Sequence, residues 1–248
     1  MTAVVDWFRW LDAAYGINLS IFYDGYDRGR FLVGLVTTIE LSLVCTALSV
    51  VVGILGAWLQ GSKSPWVRAG VRGYVEFFRN TPPLIQLLFF YFAVSTLLPT
   101  IPDGTGGTRP LVSNVGWAII SLSLFTGAHN VEIFRAGIDA VPTTMREAAA
   151  GLGHTRFQIF RLIVFPLALR ISFPAFNNNI VNLVKTTTLA YAIAVPELLY
   201  ASAQIWSEDF NVKEMMNVLL VIYLLLVAFV VWGMNAIERR MRVPGYSA

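Results

Sequence analysis

The chain has 248 residues, 56% of them apolar and only 13% charged, with a mean hydropathy of +0.64; soluble domains hold roughly 45–50% apolar residues. That balance excludes an ordinary water-soluble domain and places the chain in a membrane. The pI near 9.1 comes from basic residues spread over several segments, not from one patch, so it reports membrane orientation and not nucleic-acid binding.

Taken in chain order, residues 1–30 form an extracytoplasmic lead-in. They carry Asp6, Arg9, Asp12, Asp24, Asp27, Arg28 and Arg30, with no basic start and apolar core of a signal peptide. Five apolar stretches follow: Phe31 to Leu59, a short one from Pro83 to Leu98, Leu111 to Phe134, Ile171 to Ala201 and Met215 to Met234. A spanning helix needs about 20 mostly apolar residues, and continuous apolar runs without period-two alternation predict helices and not a barrel. The fold class is therefore all-α: a polytopic membrane protein of about five helices spanning 31–236, with a tail at 237–248.

Lys63, Arg68, Arg72 and Arg79 lie in the first connection, Arg135, Arg146, Arg156, Arg161 and Arg170 in the third, and Arg239, Arg240 and Arg242 in the tail. The opposite side has Arg9, Arg28, Arg30, Arg109 and Lys213 among many carboxylates. The positive-inside rule then puts the N-terminus outside and the C-terminus in the cytoplasm.

The third connection, REAAAGLGHTRFQIFRLIVFP at 146–166, holds four charged side chains between two greasy stretches. Thr144 with Glu147, and Thr155 with Gln158, each have the spacing of a capping box. Gly151 and Gly153 between them permit a left-handed helix end. The stretch is expected to form two short helices around a glycine bend. Ala148, Ala149 and Ala150 keep the first helix narrow, while Phe157, Ile159 and Phe160 offer apolar contacts. Such a knob suits protein docking, or equally an amphipathic hairpin on lipid headgroups.

Within the spans, Glu40 and Lys185 are the ionisable groups that stand out, because such groups usually face a pathway or partner. They are candidates to pair with each other or to touch substrate. Pro174 with Asn177, Asn178, Asn179 and Asn182 predicts an irregular start to the fourth span and a face lining a path; bonding between helices is the other reading of those amides. Gly34, Gly53, Gly56 and Gly127 allow close helix packing, and Trp206 and Trp232 read as interfacial anchors. His129 and His154 fit no metal pattern. Asn80 or Thr81 before Pro82 and Pro83 reads as a capped helix start, and the DGTGGT run at 103–108 as a flexible external loop. Lone Cys45 lies in the first span.

EAAAGLG followed nine residues later by IVFP resembles the cytoplasmic loop of ABC-importer permeases, with Glu147, Ala148, Ala149, Gly153, Ile163 and Pro166 at its fixed positions. YVEFFRNTPPLIQLLFFYF at 74–92, SLFTGAHNVEIFRAGI at 123–138, NNNIVNLVKTTTLA at 177–190 and ERRMRVPG at 238–245 extend the likeness to about residues 25–245. Together they resemble permeases for polar amino acids, of the glutamate/aspartate or general type, with the type I importer fold. VPTTMREAA departs from the family, whose members often have glycine and glutamine before the Glu-Ala-Ala.

The resemblance implies that Glu147, Ala148, Ala149, Gly153, Arg146 and Arg156 dock on a cytoplasmic ATP-binding-cassette subunit. Lys185, Asn178, Asn182 and Glu40 are the candidates for the substrate path by their place in the spans; the family block around Lys185 assigns it no role, while the block around Glu76, Arg79 and Pro82 points to a further contact on the ATPase side. The expected partners are two ATPase subunits, a second permease subunit, an extracytoplasmic binding protein, membrane lipid and a polar amino acid, acidic or amide by resemblance. The expected location is the bacterial cytoplasmic membrane. The chain has no phosphate-binding loop and no Gly-Lys dipeptide, so no cofactor, metal or catalytic residue is expected in it and ATP belongs to a partner. The competing classes are an intramembrane enzyme, for which no nucleophile or metal cluster is supplied, and a channel or scaffold not coupled to ATP.

Overall fold

The computed structural model describes residues 2–102, 104 and 106–241. Asp103 and Thr105 of the DGTGGT run, and Arg242 with the rest of the tail, lie outside the described residues.

The chain folds almost wholly into helices. A lead-in of α1 (Thr2–Tyr15) and α2 (Ser20–Tyr23) precedes the long α3 (Gly25–Gln60). Next come α4 (Pro65–Asn80) and α5 (Pro83–Leu88), the latter continuing through a π turn at Phe89–Val94 and a 3-10 turn at Ser95–Leu97. After α6 (Asn114–Asp139) stand α7 (Thr143–Gly151), α8 (Arg156–Ile159) and α9 (Phe165–Thr186). The chain closes with α10 (Leu198–Asp209) and α11 (Val212–Met241). The external loop is partly ordered: β1 (Thr100–Pro102) and β2 (Thr108–Pro110) pair antiparallel, with Ile101 opposite Arg109.

Among the described residues, three helices are long and apolar enough to cross a membrane: Gly25–Gln60, Arg156–Ile193 and Val212–Arg240. The 26 residues of α6 have the length to cross, but Ser121, Ser123, Thr126 and Asn130 break their apolar character, and all four are buried. Helix from Pro83 to Leu97 is shorter, about 22 Å at 1.5 Å per residue against a core of about 30 Å.

Two expectations for the fourth span need correction. Helix begins at Arg156 and runs without a break to Ile193, so α8 is the opening turn of this span and no irregularity marks Pro174, which sits inside α9. The irregular parts are a π turn at Phe160–Val164, between α8 and α9, and at the other end a 3-10 stretch at Thr187–Ile193 closed by left-handed Ala194, after which α10 starts anew. The Thr81 hydroxyl donates back to the Phe77 carbonyl at 2.7 Å and Thr81 closes α4.

The chain divides into two compact units. The first takes Met1–Val44, Leu84–Leu122 and Val184–Ala228; the second takes Cys45–Pro83, Ser123–Leu183 and the chain from Phe229. In the first, Leu41, Leu87, Trp117, Ala118, Ala190, Ile193 and Val195 make one core, and Phe31, Leu198, Ile205, Met215 and Leu219 make another, against which Trp206 packs.

In the second unit, contact between helices depends on missing side chains. A Cβ on Gly137 of α6 would fall 1.9 Å from the Ser172 Oγ and 2.7 Å from the Ala168 carbonyl oxygen of α9, so the two helices meet backbone against side chain. Ser172 Oγ seals the approach by donating to the Ile133 carbonyl at 3.1 Å. Small residues let helices in lipid gain van der Waals contact where no hydrophobic force drives them together. Gly53 against Asn130, Gly56 against Val131 and Gly127 against Val52 repeat the device. Tyr74 of α4 donates to the Leu124 carbonyl at 2.6 Å, and burial pushes its phenol well above the usual range, which keeps it a neutral donor.

Candidate functional site: the 143–166 loop and the polar positions of the spans

The loop is rigid by construction. α7 ends in a Schellman motif: Gly153 is left-handed at φ 84°, its N–H donates to Ala150 O at 3.0 Å, and the His154 N–H donates to Ala149 O at 3.1 Å. Those two bonds answer carbonyls that a helix end leaves orphaned. Two residues on, Thr155 opens the next helix with a complete capping box, Gln158 N–H donating to Thr155 Oγ1 at 3.3 Å and Thr155 N–H to Gln158 Oε1 at 2.8 Å. Of the two glycines, only Gly153 makes the bend; Gly151 stays helical. Val141, Val164 and Ala168 with Ile138, Ile159 and Leu167 hold the base of the loop.

The capping box expected at Thr144 and Glu147 does not form. α7 begins at Thr143 after Pro142, with no side-chain cap, so Glu147 lies one turn inside the helix with its side chain exposed. Ala148, Gly153 and Arg156 are exposed as well. Two of the expected docking residues instead face inward. Ala149 is buried, and the Arg146 guanidinium donates to the Ile138 carbonyl, tying α7 to the end of α6. Leu152, the last residue of the bend, is 81% exposed and Phe157 is 69% exposed. The loop thus presents two bare apolar side chains and the exposed carboxylate of Glu147.

Along the spans the asparagines separate into two groups. Asn179 is buried and donates to Asn130 Oδ1 at 2.8 Å and to the Thr126 carbonyl at 3.2 Å; Asn130 in turn donates to Ser49 Oγ at 3.1 Å. This chain of bonds joins α3, α6 and α9 of the second unit. Asn177 donates to Asn235 of α11 at 3.2 Å. Asn178 and Asn182 are exposed; with Lys185, also exposed, their four- and three-residue spacings put them on one face of the helix. Glu40 is exposed on α3. Among the described residues no ion pair joins Glu40 to Lys185. A charge this far inside an apolar helix cannot rest against lipid without penalty, so both faces need water or protein over them.

In the first unit lies a feature that the sequence did not announce, an interrupted helix whose loose ends are all answered. Asn114 Nδ2 donates to the Ala194 carbonyl at 2.7 Å and the Ile193 carbonyl at 3.3 Å. The Leu198 N–H donates to Thr38 Oγ1 at 3.0 Å. Glu197, fully buried, caps α10, accepting from Leu199 N–H at 2.9 Å, Tyr200 N–H at 2.8 Å and the Tyr223 hydroxyl at 3.2 Å. Non-helical backbone within a membrane protein persists only where protein or water satisfies it. The V-P-E run was the available signal, since proline disfavours helix at the residue before it.

His129 Nδ1 lies 3.1 Å from the Phe125 carbonyl and its ring leans on Phe125, which gives it a packing role; His154 is exposed. Among the described residues no group of His, Cys, Asp and Glu is placed to hold a metal ion.

A family model described as "binding-protein-dependent transport system inner membrane component" matches residues 49–243, a span that takes in the glycine-turned loop and the polar face of α9. The chain belongs to this family. It is similar to the nopaline transport system permease protein NocM of Agrobacterium fabrum, 32% identical over 234 residues that cover 87% of this chain and 92% of that one. It is 30% identical to the histidine/lysine/arginine/ornithine transport system permease protein HisM of Salmonella typhimurium, over 89% of this chain and 92% of that one. Its fold matches a crystal structure of an amino acid ABC transporter with histidines at a TM-score of 0.76 and 25% identity, covering 86% of this chain and 94% of that one. The MetNI methionine ABC transporter in an inward-facing form shares the fold, with a TM-score of 0.67 at 21% identity. The permease is thus an inner-membrane, multi-pass component of a transport system that works with a binding protein. The solutes in the relatives' names give no support to the acidic or amide substrate expected above.

Proposed function

We propose that this permease forms half of the pore of an ATP-driven importer for amino acids, and that the loop from Thr143 to Ile159 carries force into it from an ATPase subunit. One observation carries the proposal: Glu147, Leu152 and Phe157 stand exposed on a loop locked by a Schellman motif and a capping box. Energy has to come from another polypeptide, since no phosphate-binding loop occurs in this one. The excess of basic residues in the first and third connections supports a cytoplasmic position for the loop and an external N-terminus.

The other half of the pore is a second permease subunit, a homologue or another copy of this chain. It or water covers the exposed faces bearing Glu40 and Asn178, Asn182 and Lys185. Above, an extracytoplasmic binding protein delivers the solute. Each partner shifts the permease between inward- and outward-facing states only through its differential affinity for them.

The solute class is a cationic amino acid or a derivative of one, on the strength of the similarity to permeases named for nopaline and for histidine, lysine, arginine and ornithine. Vesicles holding the assembled importer, with binding protein outside and ATP inside, are expected to accumulate labelled arginine or lysine, with glutamate and glutamine competing poorly. ATP-independent equilibration of the label would place the chain among passive channels. ATP-driven uptake of glutamate in preference to arginine would overturn the solute class alone.

A further inference from the structure

The second unit contains a polar cleft of about 440 Å³ that neither the loop nor the α9 face uses. Gln60 at the end of α3, Arg68, Arg72, Glu76 and Arg79 of α4, and Glu132 and Arg135 of α6 line it. Part of this charge is already matched. Arg79 Nη1 lies 3.6 Å from Glu132 Oε2, Gln60 donates to the other Glu132 oxygen at 3.2 Å, and Arg135 Nε meets Asp139 at 2.8 Å. Arg68 is held differently, its Nη1 donating to the carbonyls of Ser62 and Lys63 at 2.8 and 3.3 Å, which fixes the side chain but leaves its charge without a carboxylate. Among the described residues no carboxylate lies within ion-pair distance of Arg72.

Depth decides what would fill the cleft. Gln60 is the final residue of a membrane-crossing helix, and Trp58 and Trp66, 71% and 86% exposed, bracket the turn from α3 to α4. Exposed tryptophans at a helix end mark headgroup level. Basic pockets between helices at that depth suit phosphate-bearing headgroups, and guanidinium groups match phosphate geometry.

We propose that the cleft between the end of α3, α4 and α6 is a binding site for the phosphate of an anionic phospholipid headgroup, with Arg68 and Arg72 as its principal ligands. The site ties the first cytoplasm-side helix pair to the lipid surface and stands apart from whichever solute is carried. Its chemistry, a phosphate anion on two guanidinium groups that have no carboxylate partner, is shared by soluble phosphates, so both sources enter the test.

The assembled importer is exchanged into mixed micelles of phosphatidylglycerol and phosphatidylethanolamine, and the lipid retained per permease is measured by mass spectrometry. Wild type is expected to retain phosphatidylglycerol selectively. Arg68→Gln with Arg72→Gln should lower that retention at least about fivefold, since each basic residue at an anionic surface contributes about 1 kcal/mol. Arg68→Lys with Arg72→Lys, which keeps the charge, should restore most of it, and Lys213→Gln should leave it unchanged. Equal retention by the double glutamine variant would overturn the proposal. So would displacement of the lipid by millimolar inorganic phosphate, which would assign a free-phosphate site, or loss of the ATPase subunit with lipid retention intact, which would assign a protein contact.

Discussion

Glu147→Arg is expected to stop ATP-dependent uptake, lowering it at least tenfold, and to release the ATPase subunit on purification while the permease itself stays folded. The physical reason is that Glu147 has no structural duty in the chain. It is exposed and outside any capping box, so exposed-surface substitution there should change stability by no more than about 0.5 kcal/mol. Charge reversal at the centre of a docked surface is different, because juxtaposed like charges cost several kcal/mol and about 1.4 kcal/mol already makes a factor of ten. Uptake in vesicles, co-purification of the ATPase and thermal unfolding of the permease, measured on one preparation, separate the two effects. Unaltered uptake and co-purification would remove Glu147 from the contact.

Glu197→Ala is expected to act the other way, through stability and without regard to the ATPase. The carboxylate is wholly buried and accepts from two backbone N–H groups and the Tyr223 hydroxyl. Its removal leaves three part-buried donors without their acceptor at once, each costing up to about 1–3 kcal/mol when left unmet, and loses a helix cap besides. Against a total stability of roughly 5–15 kcal/mol, the variant should be lost from the membrane fraction or unfold many degrees below wild type. Glu197→Gln keeps an acceptor oxygen for one N–H and should fall between. Thermal unfolding in detergent checks both; an alanine variant as stable as wild type would show that water or another group can take over the cap.

These two residues also mark how far the sequence could be read. The first and last spans, the bend at Gly153 and the capping box at Thr155 follow from local rules: apolar run length, left-handed freedom and a hydroxyl three residues before an amide. Local rules also misled. Thr144 and Glu147 have the capping spacing, but the helix starts two residues earlier, after Pro142, and the box has nothing to cap. The long-range features were not legible. Nothing in the run of asparagines says that Asn177 and Asn179 turn into the protein while Asn178 and Asn182 do not; helical phase decides it, and the phase depends on where the helix begins. Ala194 and Phe210 adopt left-handed backbone without being glycine, so neither break carries the usual signal. Glu197, an unusual cap residue, acquires its role only because Thr38, Asn114 and Tyr223 converge on the same interruption from distant parts of the chain.

The fold thereby separates two tasks. Buried networks at Asn130 and Asn179 in one unit, and at Glu197 in the other, pair polar groups that lipid would punish. Exposed side chains on the loop include Glu147, Leu152 and Phe157, and Lys185 is exposed on α9.

The most direct measurement places a photoreactive side chain at Leu152 in the assembled importer and identifies what it captures on illumination with and without ATP. Capture of the ATPase subunit, with a yield that changes when nucleotide is bound, is the predicted result. Capture of lipid alone, or labelling of the bend from outside the cell, would contradict the assignment of this loop as the place where the work of ATP hydrolysis enters the permease.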